Sequence, residues 1–230
     1  TITGYAGTGK TTIIENMVNH IASSISTNNR VYVSAYTNQA TINVQNKVQV
    51  NSAYENRVDF KTTTSLLRGE PDEYGVFKHK TDLEPGDFLI IDEASMINTG
   101  VPESEMEGII DRALMKGAKV IFIGDDYQLP PVKGKSILIG QSDIQLKKVF
   151  RQELDSPVLS LATVVRNTME IVLPSNKDPQ NKVIVTNNAL AMYIKDMKNV
   201  NNTSNDIIFI TDKNKPRIEV NKAVRNARYG

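Results

Sequence analysis

Gly4-Tyr5-Ala6-Gly7-Thr8-Gly9-Lys10-Thr11 matches the pattern G-x-x-x-x-G-K-[ST] in full. Glycines at this spacing let the backbone curl until successive N–H groups face one point. The helix that follows adds its positive N-terminal end, and the whole suits a row of phosphates. Lys10 then reaches the β- and γ-phosphates, and the Thr11 hydroxyl is a ligand for Mg²⁺. The nucleotide-binding positions run from Gly4 through Thr12. The flanks agree with this reading, with a β-like run before the loop and an amphipathic helix after it, marked by Ile13, Ile14, Met17, Val18 and Ile21.

Two further apolar runs end in residues that a phosphate site needs. Phe88-Leu89-Ile90-Ile91 leads into Asp92-Glu93. At such a strand end the first acid holds Mg²⁺, usually through water, and the second can orient and deprotonate an attacking water. Val120-Ile121-Phe122-Ile123 leads into Gly124-Asp125-Asp126-Tyr127-Gln128, followed by Leu129-Pro130-Pro131-Val132. There Gln128 can bond the γ-phosphate, and the two prolines stiffen the loop that relays the contact.

These runs, with Val31–Ala35 and Ile207–Ile210, are rich in β-branched residues and lack strict alternation, as strands do when both faces of a parallel sheet are covered. Helical patterns lie between them at Thr11 to about Ser26, about Pro102 to Lys116, and Pro157 to about Asn167. The expected fold is α/β, a mostly parallel sheet with helices on both faces. Residues 68–87 carry Gly, Pro and charge, and form an expected inserted hairpin. The pattern is weak from Met169 to Asp206, and the Asn-rich run Asn199–Asn205 predicts a linker.

The chain has 230 residues, 27 Lys+Arg against 26 Asp+Glu, and no cysteine. Disulfide frameworks and thiolate zinc sites are excluded. No apolar run reaches the roughly 18–20 residues of a membrane span, so a soluble, intracellular (cytoplasmic) protein is expected, with no membrane partner. The net charge of +1 hides a regional split. Residues 82–111 hold nine acids and no Lys or Arg, whereas residues 133–151 hold Lys133, Lys135, Lys147, Lys148 and Arg151 against Asp143 alone. A basic segment after the Gln128 loop can line the path of a nucleic-acid strand, or form an ordinary solvated face.

The order of these elements resembles the motor domain of superfamily 1 DNA helicases, in the RecD-like and phage Dda-like branch. Further matches are Ala35-Tyr36-Thr37 with Gln39-Ala40, Thr62-Thr63-Thr64-Ser65-Leu66-Leu67, Asp92-Glu93-Ala94-Ser95-Met96, and Val149-Phe150-Arg151-Gln152. Tyr36 and Thr64 depart from the family's usual proline and histidine. The resemblance implies a RecA-like ATPase domain over 1–168, a linker over 169–205, and the beginning of a second RecA-like domain over 206–230. It implies ATP and Mg²⁺ as cofactors, and Lys10, Glu93, Gln128 and Arg151 as the catalytic set. Single-stranded DNA and single/double-strand junctions are the implied partners, met by Thr37, Asn38, Thr63, Thr64 and Ser65. Phe77 is the implied tip of a strand-splitting wedge, and movement is 5′-to-3′. The chain opens at Thr1 rather than Met, with three residues ahead of the loop, and the expectation is a piece of a longer protein. Two alternatives stay open, a stand-alone PhoH-like ATPase and a nucleotide-dependent binding module without turnover.

Overall fold

The apolar runs become the inner strands of one parallel sheet. In the computed structural model, the described residues are 1–68, 83–99, 110, 113–131, 134–140, 142–148, 157–170, 186–199, 207–211 and 213–229. The chain divides into two units, Thr1–Gln152 and Glu153–Gly230.

In the first unit, β1 (Ile2–Gly4), β2 (Val31–Ala35), β3 (Val58–Thr62), β4 (Phe88–Asp92), β6 (Lys119–Gly124) and β8 (Ile144–Leu146) form a six-stranded sheet in the order β3-β2-β4-β6-β1-β8. All of its pairings are parallel. Short strands β5 (Asn98–Thr99) and β7 (Lys135–Ser136) pair antiparallel beside it. Helices α1 (Lys10–Ser24), α2 (Asn38–Lys47) and α3 (Thr63–Arg68) follow β1, β2 and β3.

The missing alternation in the sequence has a direct cause. Val31, Val33 and Ile90 pack with Ile14, Val18 and Ala22 of α1 and Val44 of α2, while the intervening Tyr32, Leu89 and Ile91 pack on the opposite face with Leu66, Ala113 and Leu138. Both faces are covered, so consecutive strand positions are apolar with no strict alternation. The edge strand β3 alternates instead, with Val58 and Phe60 in the core cluster and Asp59 paired with Arg30.

The helix expected over 102–116 lies mostly outside the described residues, although 110 and 113–115 are helical. The insertion over 68–87 is described only at its ends, and Phe77 lies outside the described residues. Leu83, toward its carboxyl end, is fully buried.

In the second unit, α4 (Pro157–Thr168) forms as expected, and α6 (Asn214–Tyr229) follows the 207–210 run. Helix α5 (Ala189–Met197) forms inside the stretch read from sequence as a linker, since the Asn-rich residues after it obscured a good helix-forming run. The strand expected at Ile207–Ile210 is a correction. Among the described residues it joins no sheet, and Ile208 and Ile210 are 73% and 87% exposed. A strand needs a partner to satisfy its backbone, and none of the described strands supplies it. Phe209 packs instead against Tyr193 of α5, with ring centroids 5.2 Å apart.

Buried Asp87 ties the amino ends of the inner strands together. Its carboxylate accepts from Arg30 N at 2.8 Å, Glu84 N at 2.8 Å and Asn29 Nδ2 at 3.3 Å. Asp87→Ala leaves those donors unsatisfied and is expected to cost about 2–4 kcal/mol. Urea unfolding followed by far-UV circular dichroism measures this, and a loss under about 0.5 kcal/mol would mean that the knot is dispensable.

Candidate active site

Strand register decides which residues meet. Ala35 lies opposite both Thr62 and Asp92, Ile91 opposite Phe122, and Thr3 opposite Gly124. The carboxyl ends of β3, β2, β4, β6 and β1 therefore share one edge, where open α/β sheets bind their ligands. Strand β6 lies between β1 and β4. Two strand spacings of about 4.8 Å separate the phosphate loop from Asp92, which leaves room for phosphate groups between them. The floor of that gap is Gly124. A Cβ there would fall 2.6 Å from Leu138 Cδ1 and 3.2 Å from Ala94 N, so only glycine fits without displacement.

The loop is built for an anion. Gly7 and Gly9 adopt φ of 81° and 85°, left-handed values that glycine accepts without steric cost. Gly9 is the N-cap of α1, no side chain caps that end, and the first turn holds no acid. The helix thus presents open N–H groups and an uncompensated positive end. Lys10 Nζ donates to Gly4 O at 2.8 Å and Tyr5 O at 3.0 Å, which holds its ammonium over the loop. Thr8 Oγ1 donates to Tyr5 O at 2.8 Å and closes the turn.

Opposite the loop stand the two acids. Burial pushes the Asp92 carboxyl above the ordinary carboxylate range, against the opposing effects of the Glu93 N–H and of Lys10 and Lys47. Glu93 is raised first by burial and then by the charge of Asp92, and Lys10 and Lys47 again oppose the rise. The nearby ammonium groups therefore do not fully compensate the acids. That imbalance, beside the Thr11 hydroxyl in the same cleft, fits a divalent cation held by Thr11 and Asp92. Among the described residues no group of three or more His, Cys, Asp or Glu forms a metal cage. Glu93 sits at φ 53°, ψ 36°, a left-handed conformation that costs an ordinary residue about 1–2 kcal/mol. The turn Ala94–Met96 holds it there, with Ala94 and Ser95 buried. Strain of this kind collects at functional sites.

One cleft is lined by Lys10, Thr11, Asp92, Glu93, Gly124 and Gln128. The loop bearing Gln128 is pinned by buried Asp125, whose carboxylate accepts from Tyr127 N at 3.1 Å and whose carbonyl accepts from Gln128 N at 3.1 Å. Arg151 lies outside the described residues. Sequence reasoning missed the fourth wall, Ala40, Asn43, Val44 and Lys47 of α2. Their i, i+3, i+4, i+7 spacing is a legible helix face, but it matches that of any helix with a buried stripe.

The residues expected to meet a strand divide. Thr37 caps α2, accepting from Ala40 N at 3.2 Å, and both Thr37 and Asn38 are exposed. Thr64 is half-buried, and exposed Ser65 donates from Oγ to Thr62 O at 3.0 Å. Thr63 is a correction. It is fully buried, and its hydroxyl bonds Ser34 Oγ at 3.0 Å, so it has no surface to offer.

A mostly parallel sheet with this loop, this acid pair and these flanking helices is the RecA-like phosphate-loop nucleotidase fold. The chain belongs to the AAA domain family, whose model matches residues 1–170. Over 150 residues it is 37% identical to the RecBCD enzyme subunit RecD of Buchnera aphidicola subsp. Schizaphis graminum, which covers 60% of this chain and 24% of that protein. It is 35% identical over 92 residues to the ATP-dependent RecD2 DNA helicase of Deinococcus radiodurans, covering 37% of this chain and 12% of that protein. The DNA replication ATP-dependent helicase/nuclease DNA2 of Saccharomyces cerevisiae is 26% identical over 203 residues, covering 76% and 13%. The chain spans a quarter or less of each of these relatives. They bear out the kinship with RecD-like superfamily 1 helicases that its motifs implied. No helix among the described residues is long and apolar enough to cross a membrane.

The raised carboxyl of Asp92 makes a stability prediction. A carboxyl whose folded-state value exceeds its unfolded value near 3.9 favours the fold fully below 3.9, and that advantage is lost as pH rises through the raised folded-state value. Asp92→Asn removes the penalty. It is expected to melt measurably higher than wild type at pH 7–8. The gap should shrink toward pH 4 in calorimetric scans without metal or nucleotide. An unchanged or lower melting point at neutral pH would contradict it.

Proposed function

We propose that this chain is the ATP-hydrolysing part of a DNA helicase motor of the RecD-like kind, which couples turnover to 5′-to-3′ movement on single-stranded DNA and to duplex separation. The observation that carries this reading is the convergence of Lys10, Thr11, Asp92, Glu93 and Gln128 on one cleft at the carboxyl edge of the sheet. Thr37, Asn38, Thr64 and Ser65, which end or follow the neighbouring strands, then meet the DNA backbone. Hydroxyls and amides suit phosphates without reading bases, as a moving motor requires.

The loop amides and Lys10 bind the triphosphate. Thr11 would hold Mg²⁺, with Asp92 acting through water, and such an ion would supply the positive charge that the phosphates need as turnover proceeds. Glu93, fixed by its strained turn, takes the proton of the attacking water. Gln128 bonds the γ-phosphate, and Arg151 joins it in the manner of the family. Residues 1–168, 169–205 and 206–230 serve as first motor domain, linker and start of a second domain. By the family's pattern, Phe77 is assigned the strand-splitting role. The chain is a piece of a longer intracellular enzyme, and alone it binds nucleotide weakly and does not unwind DNA.

The decisive experiment is ATP turnover of the full-length protein with and without single-stranded DNA. Stimulation by the strand is expected, and its absence would defeat the helicase reading. Glu93→Gln should lower turnover about 10²–10⁴-fold while ATP still binds, as loss of a general base does. Loss of binding together with turnover would assign Glu93 a structural role instead.

A further inference from the structure

Helix α2 turns one face, Ala40, Asn43, Val44 and Lys47, toward the cleft that holds the loop and the acids. Ala40 and Val44 are buried and anchor the helix. The two polar members lie one turn apart on the same stripe, with Lys47 at the end of the last turn. We propose that Lys47 is a second phosphate-binding cation, which grips the terminal phosphate of a nucleoside triphosphate from the side opposite Lys10. The proposal rests on the reading of this cleft as a triphosphate site.

Three observations support it. On the triphosphate reading the loop takes the inner phosphates and the terminal phosphate falls toward Asp92 and Glu93, which line the same cleft as Lys47. The charge of Lys47 opposes the rise of both carboxyl values. Lys10 is positioned by the loop, donating to the Gly4 and Tyr5 carbonyls. Among the described residues the Lys47 ammonium has no such hydrogen bond and forms no ion pair, and its flexible four-carbon stem lets it follow a phosphate. A lysine in the last turn of a helix also complements the helix dipole, and the experiment must separate that role from phosphate binding.

The test compares Mg²⁺–ATP and Mg²⁺–ADP affinities of the 230-residue chain for wild type, Lys47→Met and Lys47→Arg, by competition against a fluorescent nucleotide. Lys47→Met is expected to weaken ATP about tenfold, the size of one lost charge-assisted hydrogen bond, and to leave ADP within about twofold. Lys47→Arg should recover most of the ATP affinity. Melting curves check that each variant is folded. Equal weakening of ATP and ADP would overturn the proposal in favour of a general effect on the cleft. Unchanged affinity for both would leave Lys47 a dipole-complementing surface residue and overturn the proposal while the nucleotide reading stands. If wild type bound neither nucleotide, the function proposed above would fail first, and this inference with it.

Discussion

The hydrogen-bond register that sets β6 between β1 and β4 is the constraint on which the rest of the first unit depends. It opens a gap about two strands wide between loop and acids, makes Gly124 its floor, and sends the Gln128 loop out of its centre. With β1 beside β4, the loop and Asp92 would be too close for a phosphate and an ion. A one-residue slip would turn Asp92 into the core and bring Ile91 to the edge. The apolar cover on both faces resists that slip, because it would force an acid among Leu89, Ala94 and Ile97 or their opposite-face counterparts.

Local strain and burial are concentrated where that edge meets the cleft. Glu93 holds a left-handed backbone, and Asp92 carries a carboxyl that the fold would rather keep protonated. Neither helps folding. The sheet and its two covered faces supply stability, with buried Asp87 bracing the opposite end. The molecule thus divides its labour along the strands, stable at their amino ends and poised at their carboxyl ends. Sites held in unfavourable local states by a rigid scaffold commonly show this arrangement.

Much of this was legible in the residues alone. The loop, the acid pair and the Gln128 segment carry chemistry in their own order, and the β-branched runs predicted strands at Val31–Ala35, Phe88–Asp92 and Lys119–Gly124 within a residue or so. Two readings failed for identifiable reasons. The Ile207–Ile210 run has strand composition, but strand formation depends on a neighbour that composition does not supply. Thr63 has a hydroxyl suited to a phosphate, but Ser34 of β2 takes it up from the start of α3. Helix α5 was hidden because Asn-rich sequence next to it dominates the local signal.

The sequence by itself determined the chemistry, since an anion-binding loop and a metal-binding acid pair are properties of short consecutive segments. Tertiary structure decided proximity. That Asn43 and Lys47 of α2 face the same cleft as Asp92 follows from the packing of Ala40 and Val44 against the sheet, and no feature of the helix alone distinguishes its cleft-facing lysine from a solvated one. Strand order likewise arises from long-range pairing, whose register depends on both partners at once, so it cannot be read from either strand's residues.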